Sequence, residues 1–334
     1  MKAIKTLAMA ALAMAALATA VFASCSSEDE LAQSNYPMDN VVRIMTSVDG
    51  MNTRASYGNS TDKLNSFGFC IKNANSEKYT YDNIKVSQEG NNWIPATQML
   101  WQNSTTAVDI LAYAPYQETT EDASGKVKVF GKTDYAFSVK EDQSNAEDYS
   151  SDLIVYKKTG FKPESDLNTN QAVDVTFTHL LSQLNLTIEL RDQFNQDEKK
   201  PVTSATVTDV KVDGTFIRSK VNFAADPISF LRDGQASAAI TPETVAFKKA
   251  DKTTDHATFK YSAIVIPQKV IAGQLCIKFK VDGTDYIWTG TDNALFESGK
   301  KYELHLLVGK DVVQGGVVTA KPWGEETIIE KETD

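Results

Sequence analysis

Hydrophobic and polar positions alternate along most of this chain with the period of two that marks half-buried strands. In "VVRIMTSV", Val42, Ile44, Thr46 and Val48 share one face against Arg43 and Ser47 on the other. "NSFGFCIKN" sets Phe67, Phe69 and Ile71 opposite Gly68, Cys70 and Lys72, and "AVDILAYAPY" and "SDLIVYKK" are further apolar runs of strand length. The polar, turn-rich stretch 157–171 interrupts the pattern. It restarts with Val173, Val175 and Phe177, then Leu184, Leu186, Ile188 and Leu190. "TVTDVKVDGTFI" and "LCIKFKVDGTDYIW" each hold Asp-Gly between alternating runs, which predicts two hairpins because Asp-Gly tolerates positive φ. The two "KVDGT" copies are recurrent turn chemistry rather than a repeat. No stretch of helical period follows residue 24. The pattern therefore predicts an all-β protein: two antiparallel β-sandwiches in tandem, over 41–165 and 166–334.

The first 24 residues change the setting. Lys2 and Lys5 precede "LAMAALAMAALATAVFA", an apolar run too short and alanine-rich for a membrane span, which reads as an export signal. The run closes in "FASC", similar to the lipobox of bacterial lipoproteins, with Cys25 as the residue to be lipidated. "SSEDE" within the acidic linker 25–40 resembles the signal that sends Bacteroidetes-type lipoproteins to the outer face of the outer membrane; a solvated linker would have the same composition.

Removing Lys2 and Lys5 with the signal takes the formal net charge from −10 to −12, which argues against nucleic acid or an anionic bilayer face as partner. With Cys25 lipidated, two cysteines remain, Cys70 and Cys276, which could pair in an oxidising compartment but are expected as free, partly buried thiols. Together with the dispersed His179, His256 and His305 they lack metal-ligand spacing. His179 and His305 fit structural roles in strands. Asp282, Asp285 and Asp292 match no calcium loop. Trp93, Trp101, Tyr113 and Tyr116 could form a sugar platform but fit strand core positions better. No nucleophile triad, phosphate loop or aligned carboxylate pair is present in the sequence, so no cofactor, metal or enzymatic activity is expected.

Only five of the 34 basic residues are arginine, and Arg54 stands in "SVDGMNTRASYGNS", a run of small polar residues just after the first strand. Such a loop suits a protease, which binds its substrate extended. Taken alone, Arg54 reads better as an ordinary surface charge on a loop.

Several of these stretches in order, the lipobox at Cys25, "NTRAS", "ILAYAPY", "SDLIVY", "VTFTHLLSQLNLTI", "KKYELHLLVGKD" and "VVTAKPW", resemble the fimbrillin family of Bacteroidales type V pilus lipoproteins. The resemblance implies a fimbrial subunit of two transthyretin-like sandwich domains, contributing to adhesion. It implies lipidation at Cys25, then a cut at Arg54–Ala55 by an arginine-specific protease that frees the first strand. The open groove would be filled by a C-terminal strand of another fimbrial subunit. The outer membrane, reached through the lipid, would be the precursor's other partner.

Losing "VVRIMTSV" would strip about four core-facing side chains at ~1.5–3 kcal/mol each, comparable to the ~5–15 kcal/mol that holds a domain together. It would also leave an open sheet edge. The candidate donor is 315–334, with Val317, Val318, Ala320, Trp323, Ile328 and Ile329 as its apolar positions, Gly315–Gly316 as a hinge, and Pro322 at a break or edge. The alternative is a fimbrial tip adhesin or a monomeric surface lipoprotein that binds a host ligand or glycan.

Overall fold

The computed structural model describes residues 35–48, 61–118, 129–195, 201–231, 235–250, 256–315 and 318–322. The first strands in chain order are β1 (Arg43–Val48), β2 (Ser66–Lys72), β3 (Tyr81–Glu89), β4 (Asn92–Pro95), β5 (Val108–Ala114), β6 (Tyr135–Ser138), β7 (Ile154–Phe161) and β8 (Ala172–His179). There follow β9 (Ser182–Leu190), β10 (Val207–Asp213), β11 (Phe216–Asn222), β12 (Ser229–Phe230), β13 (Gln235–Ser237), β14 (Glu243–Lys248) and β15 (Ala257–Val265). The last are β16 (Gln268–Val270), β17 (Cys276–Val281), β18 (Thr284–Thr289), β19 (Ala294–Phe296), β20 (Lys300–Val308), β21 (Val313–Gly315) and β22 (Thr319–Pro322). Helix among the described residues amounts to single turns, such as Pro163–Asp166 and Asp192–Asn195. The all-β class that the alternation predicts is the class observed.

Seven strands form one sheet in the order β1-β8-β7-β5-β2-β3-β4. Its two faces bury different cores. Phe67, Phe69, Ile71, Ile110 and Ala112 pack on one side with Val42, Ile44 and Val48 of β1 and Val173, Val175 and Phe177 of β8. Cys70, Leu111, Tyr113, Leu153 and Val155 point to the other side and join a second cluster built from the later strands. A two-sided sheet explains why β2 is buried at five successive positions although its sequence alternates in residue type.

The later strands form a six-stranded sheet, β14-β15-β9-β20-β21 with β22 also on β20, and a three-stranded sheet, β10-β17-β18. β11 pairs with β12, β13 and the early strand β6. The chain changes sheets between β8 and β9, so the run at 173–177, which the sequence places beyond the turn-rich stretch, belongs to the seven-stranded sheet.

The two Asp-Gly turns part company. Val281 pairs with Thr284 across Asp282 (φ 49°) and Gly283 (φ 83°), the two-residue hairpin the sequence predicts. Asp213-Gly214 instead joins β10 to β11, which pair in different sheets. There glycine serves a close approach: at φ +86°, a methyl group on Gly214 would lie 1.8 Å from the carbonyl oxygen of Gln274.

Candidate functional site

The first strand enters the sheet by a short antiparallel contact. The Val42 N–H donates to Met99 O at 3.0 Å and the Trp101 N–H to Asn40 O at 2.8 Å, and Asp39 and Arg43 pair at 2.6 Å on the surface. β1 then runs parallel to β8, with Ile44 beside Val173, Thr46 beside Val175 and Val48 beside Phe177. Val42, Ile44 and Val48 are buried and Met45 is exposed, the face assignment that the alternation predicts. On the outer face the Ser47 and Thr176 hydroxyls lie 3.1 Å apart.

β1 is an edge strand, and among the described residues β8 is its one partner in the ladder. The dependence is lopsided. β1 covers six residues of β8, whereas β7 pairs with β8 only through Ile154–His179 and Val155–Thr178. Burial of the three aliphatic side chains of this edge contributes roughly 5–9 kcal/mol on the usual scale of ~1.5–3 per side chain. Arg54 and Ala55 follow β1 in the chain and lie outside the described residues, as does Cys25.

At the other end of the chain, β21 and β22 lie in succession along β20 and form the edge of the six-stranded sheet. Val308 pairs with Val313, Leu306 with Gly315, Glu303 with Thr319, and Lys300 with Pro322 at the end of the ladder. Pro322 therefore stands at the edge position that its missing N–H requires. Val318 is half-buried against the second core and Ala320 pairs with Tyr302. Val317, Trp323, Ile328 and Ile329 lie outside the described residues. Gly315 has a packing reason that the sequence does not announce: a methyl group there would lie 2.1 Å from Nε1 of Trp288 on β18.

Each histidine faces a carboxylate. His179 Nδ1 lies 3.0 Å from Asp152 Oδ1, with both side chains buried. On the surface of the six-stranded sheet, Glu189 of β9 lies between His305 of β20, at 2.7 Å, and His256, which precedes β15. His256 Nε2 also stands 3.2 Å from Asp192. The hydrogen bond from His305 holds the Glu189 carboxyl down at about 2, with burial opposing and His256 adding to the effect. This cross-strand group is invisible in the sequence, because both histidines lie 67 or more residues from Glu189.

Cys70 and Cys276 are free thiols. Cys70 is buried, receives the Asn83 N–H at 3.2 Å, and has its pKa pushed well up by desolvation. Of the aromatic candidates, Trp101 and Tyr113 are core residues and Trp93 packs edge-on against Phe67. Tyr116 receives the ammonium of Lys85 5.5 Å from its ring centre.

Two solved structures share this architecture across most of their length. One is a candidate cell adhesion protein from Bacteroides ovatus, with TM-score 0.60 and 13% identity, covering 86% of this chain and 99% of that one. The other is a candidate cell adhesion protein from Bacteroides uniformis, with TM-score 0.55 and 19% identity, covering 86% and 99%. At these identities the likeness is one of fold. No curated protein matches this chain in sequence. The family model described as fimbrillin-like matches residues 53–323, well over half of the sequence, and the chain belongs to that fimbrillin-like family.

Proposed function

We propose that this protein is a fimbrial subunit that assembles by exchanging its first strand. The observation that carries the reading is the position of β1: an edge strand, paired among the described residues with β8 alone, that fills one side of a core with Val42, Ile44 and Val48. A cut after Arg54 by an arginine-specific protease would sever the covalent link between β1 and the rest of the chain. The groove beside β8 would then take an extended strand from another fimbrial subunit, because unpaired ladder groups and exposed aliphatic positions both demand one.

In this scheme the precursor reaches the outer membrane as a lipoprotein anchored at Cys25, and cleavage releases it to the cell surface. The segment 315–334 serves as the strand offered to a neighbour, with Val317, Val318, Ala320, Trp323, Ile328 and Ile329 as its apolar contacts. Family membership supports a structural role rather than catalysis.

The test is the N-terminus of surface material. The reading expects Ala55 as the first residue in wild type and retention of lipidated Cys25 in Arg54→Ala. An intact Cys25 on wild type in cells that carry the protease would overturn it and favour the second reading, an anchored lipoprotein or tip adhesin that binds a host ligand or glycan.

A further inference from the structure

The strand that occupies the groove is an imperfect fit at one position. Of the four inward positions at the β1 edge, three are aliphatic and buried, while Thr46 sits among them with its Oγ1 buried and without a hydrogen-bond partner among the described residues. Its neighbour in the parallel ladder is the fully buried Val175, and Ile44–Val173 and Val48–Phe177 flank that pair. Nothing in this row answers a hydroxyl. Valine has the same branched shape without the polar atom, so a strand with valine or isoleucine at this register avoids burying an unmatched hydroxyl.

The pattern that the groove accepts is thus aliphatic at four successive alternate positions, those held by residues 42, 44, 46 and 48. The candidate donor of this same chain does not carry it. From Gly315 to Asp334, no two positions two apart are both Val, Ile or Leu: Val317 is followed by Thr319, Val318 by Ala320, Ile328 by Glu330 and Ile329 by Lys331. Alternation reads the same in both chain directions, so reversing the strand does not supply the match.

We infer that the groove beside β8 is specific for a strand with Val or Ile at four successive alternate positions, supplied by a different subunit rather than a second copy of this chain, and that position 46 is where this strand outcompetes β1. The inference rests on the strand-exchange reading above. It makes exchange downhill at a defined residue and makes the assembly mixed in composition.

The test uses the chain with a sequence-specific protease site placed within 51–58, cut after folding, and three labelled peptides: VVRIMTSV, its Thr46→Val form, and residues 315–334. The expected result is retention of the Thr46→Val peptide about tenfold tighter than the unaltered one, the scale of one unmatched buried hydroxyl, and retention of the 315–334 peptide no better than a scrambled control. Equal or weaker binding of the Thr46→Val peptide overturns the role of position 46, and binding of the 315–334 peptide as tight as VVRIMTSV overturns the mixed assembly. If no peptide enters the cut chain, VVRIMTSV included, the exchange reading itself fails and the inference with it. The uncut Thr46→Val chain gives a second readout: its Tm should rise, and a fall would overturn the assignment of Thr46 as the weak position.

Discussion

Gly315 lies directly beneath the indole of Trp288, so close that any side chain at 315 would strike Nε1. That contact joins the C-terminal edge of the six-stranded sheet to β18, a strand of a different sheet. Gly315→Val should push β21 off β20. We expect a loss of about 1–3 kcal/mol, typical of overpacking, with faster hydrogen exchange at the amides of β20 that face β21 and β22. Unchanged protection there would show that the strand tolerates displacement of Trp288.

Ile44→Ala removes a buried aliphatic from β1. At an edge strand the cost should fall toward the low end of the ~2–5 kcal/mol range for such truncations, read by equilibrium denaturation. Met45→Ala, on the exposed face of the same strand, should stay within about 0.5 kcal/mol of wild type. Similar losses for both variants would contradict the face assignment of β1.

Tyr113 links one face of the seven-stranded sheet to the later strands. Its ring packs against Tyr135 and Phe223, with ring centres 5.8 and 5.7 Å away, and its hydroxyl donates to Asn83 Oδ1 at 2.6 Å. Gly68 is the paired position on β2, and a methyl group there would lie 2.3 Å from Tyr113 Cε1. Gly68→Ala should therefore destabilise by about 1–3 kcal/mol, whereas Tyr113→Phe, which keeps the ring and removes the hydroxyl, should cost about 1 kcal/mol. A neutral Gly68→Ala would mean that the Tyr113 ring has room to move.

The Glu189 group makes a pH prediction. Because its carboxyl is held at about 2 in the folded chain against an ordinary 4.5, its contribution is complete above 4.5 and disappears as pH falls through about 2. Glu189→Gln should be less stable than wild type by roughly 1 kcal/mol at pH 7, the scale of partly exposed ion pairs. The gap should close between pH 4.5 and 2. A gap that persists at pH 2 would assign the loss to packing rather than charge.

The legible parts of this molecule are those in which one strand records its own environment. β1 and β2 show their inward faces in "VVRIMTSV" and "NSFGFCIKN", and Asp282-Gly283 shows its hairpin, because the two strands it joins are neighbours in sequence and in space. What the sequence conceals is pairing at a distance. Asp213-Gly214 has the same local chemistry but leads into another sheet, and β8 returns past the turn-rich stretch to meet β1, some 129 residues earlier. The same holds for Gly68 under Tyr113, Gly315 under Trp288, and the histidines around Glu189. Each is a contact between strands whose adjacency no local pattern encodes.

The two-pair ladder between β8 and β7 sets a direction for any refilling of the groove. With β1 gone, β8 would keep ladder pairs, among the described residues, only at the His179 end, and the stretch from Ala172 onward would have no strand paired to it on either side. An incoming strand would find its template at that tethered end, beside Phe177, and zip from there toward Ala172. In pulsed hydrogen exchange, amides near Phe177 should regain protection before those near Val173; the reverse order would place the starting point at the entry contact with Met99.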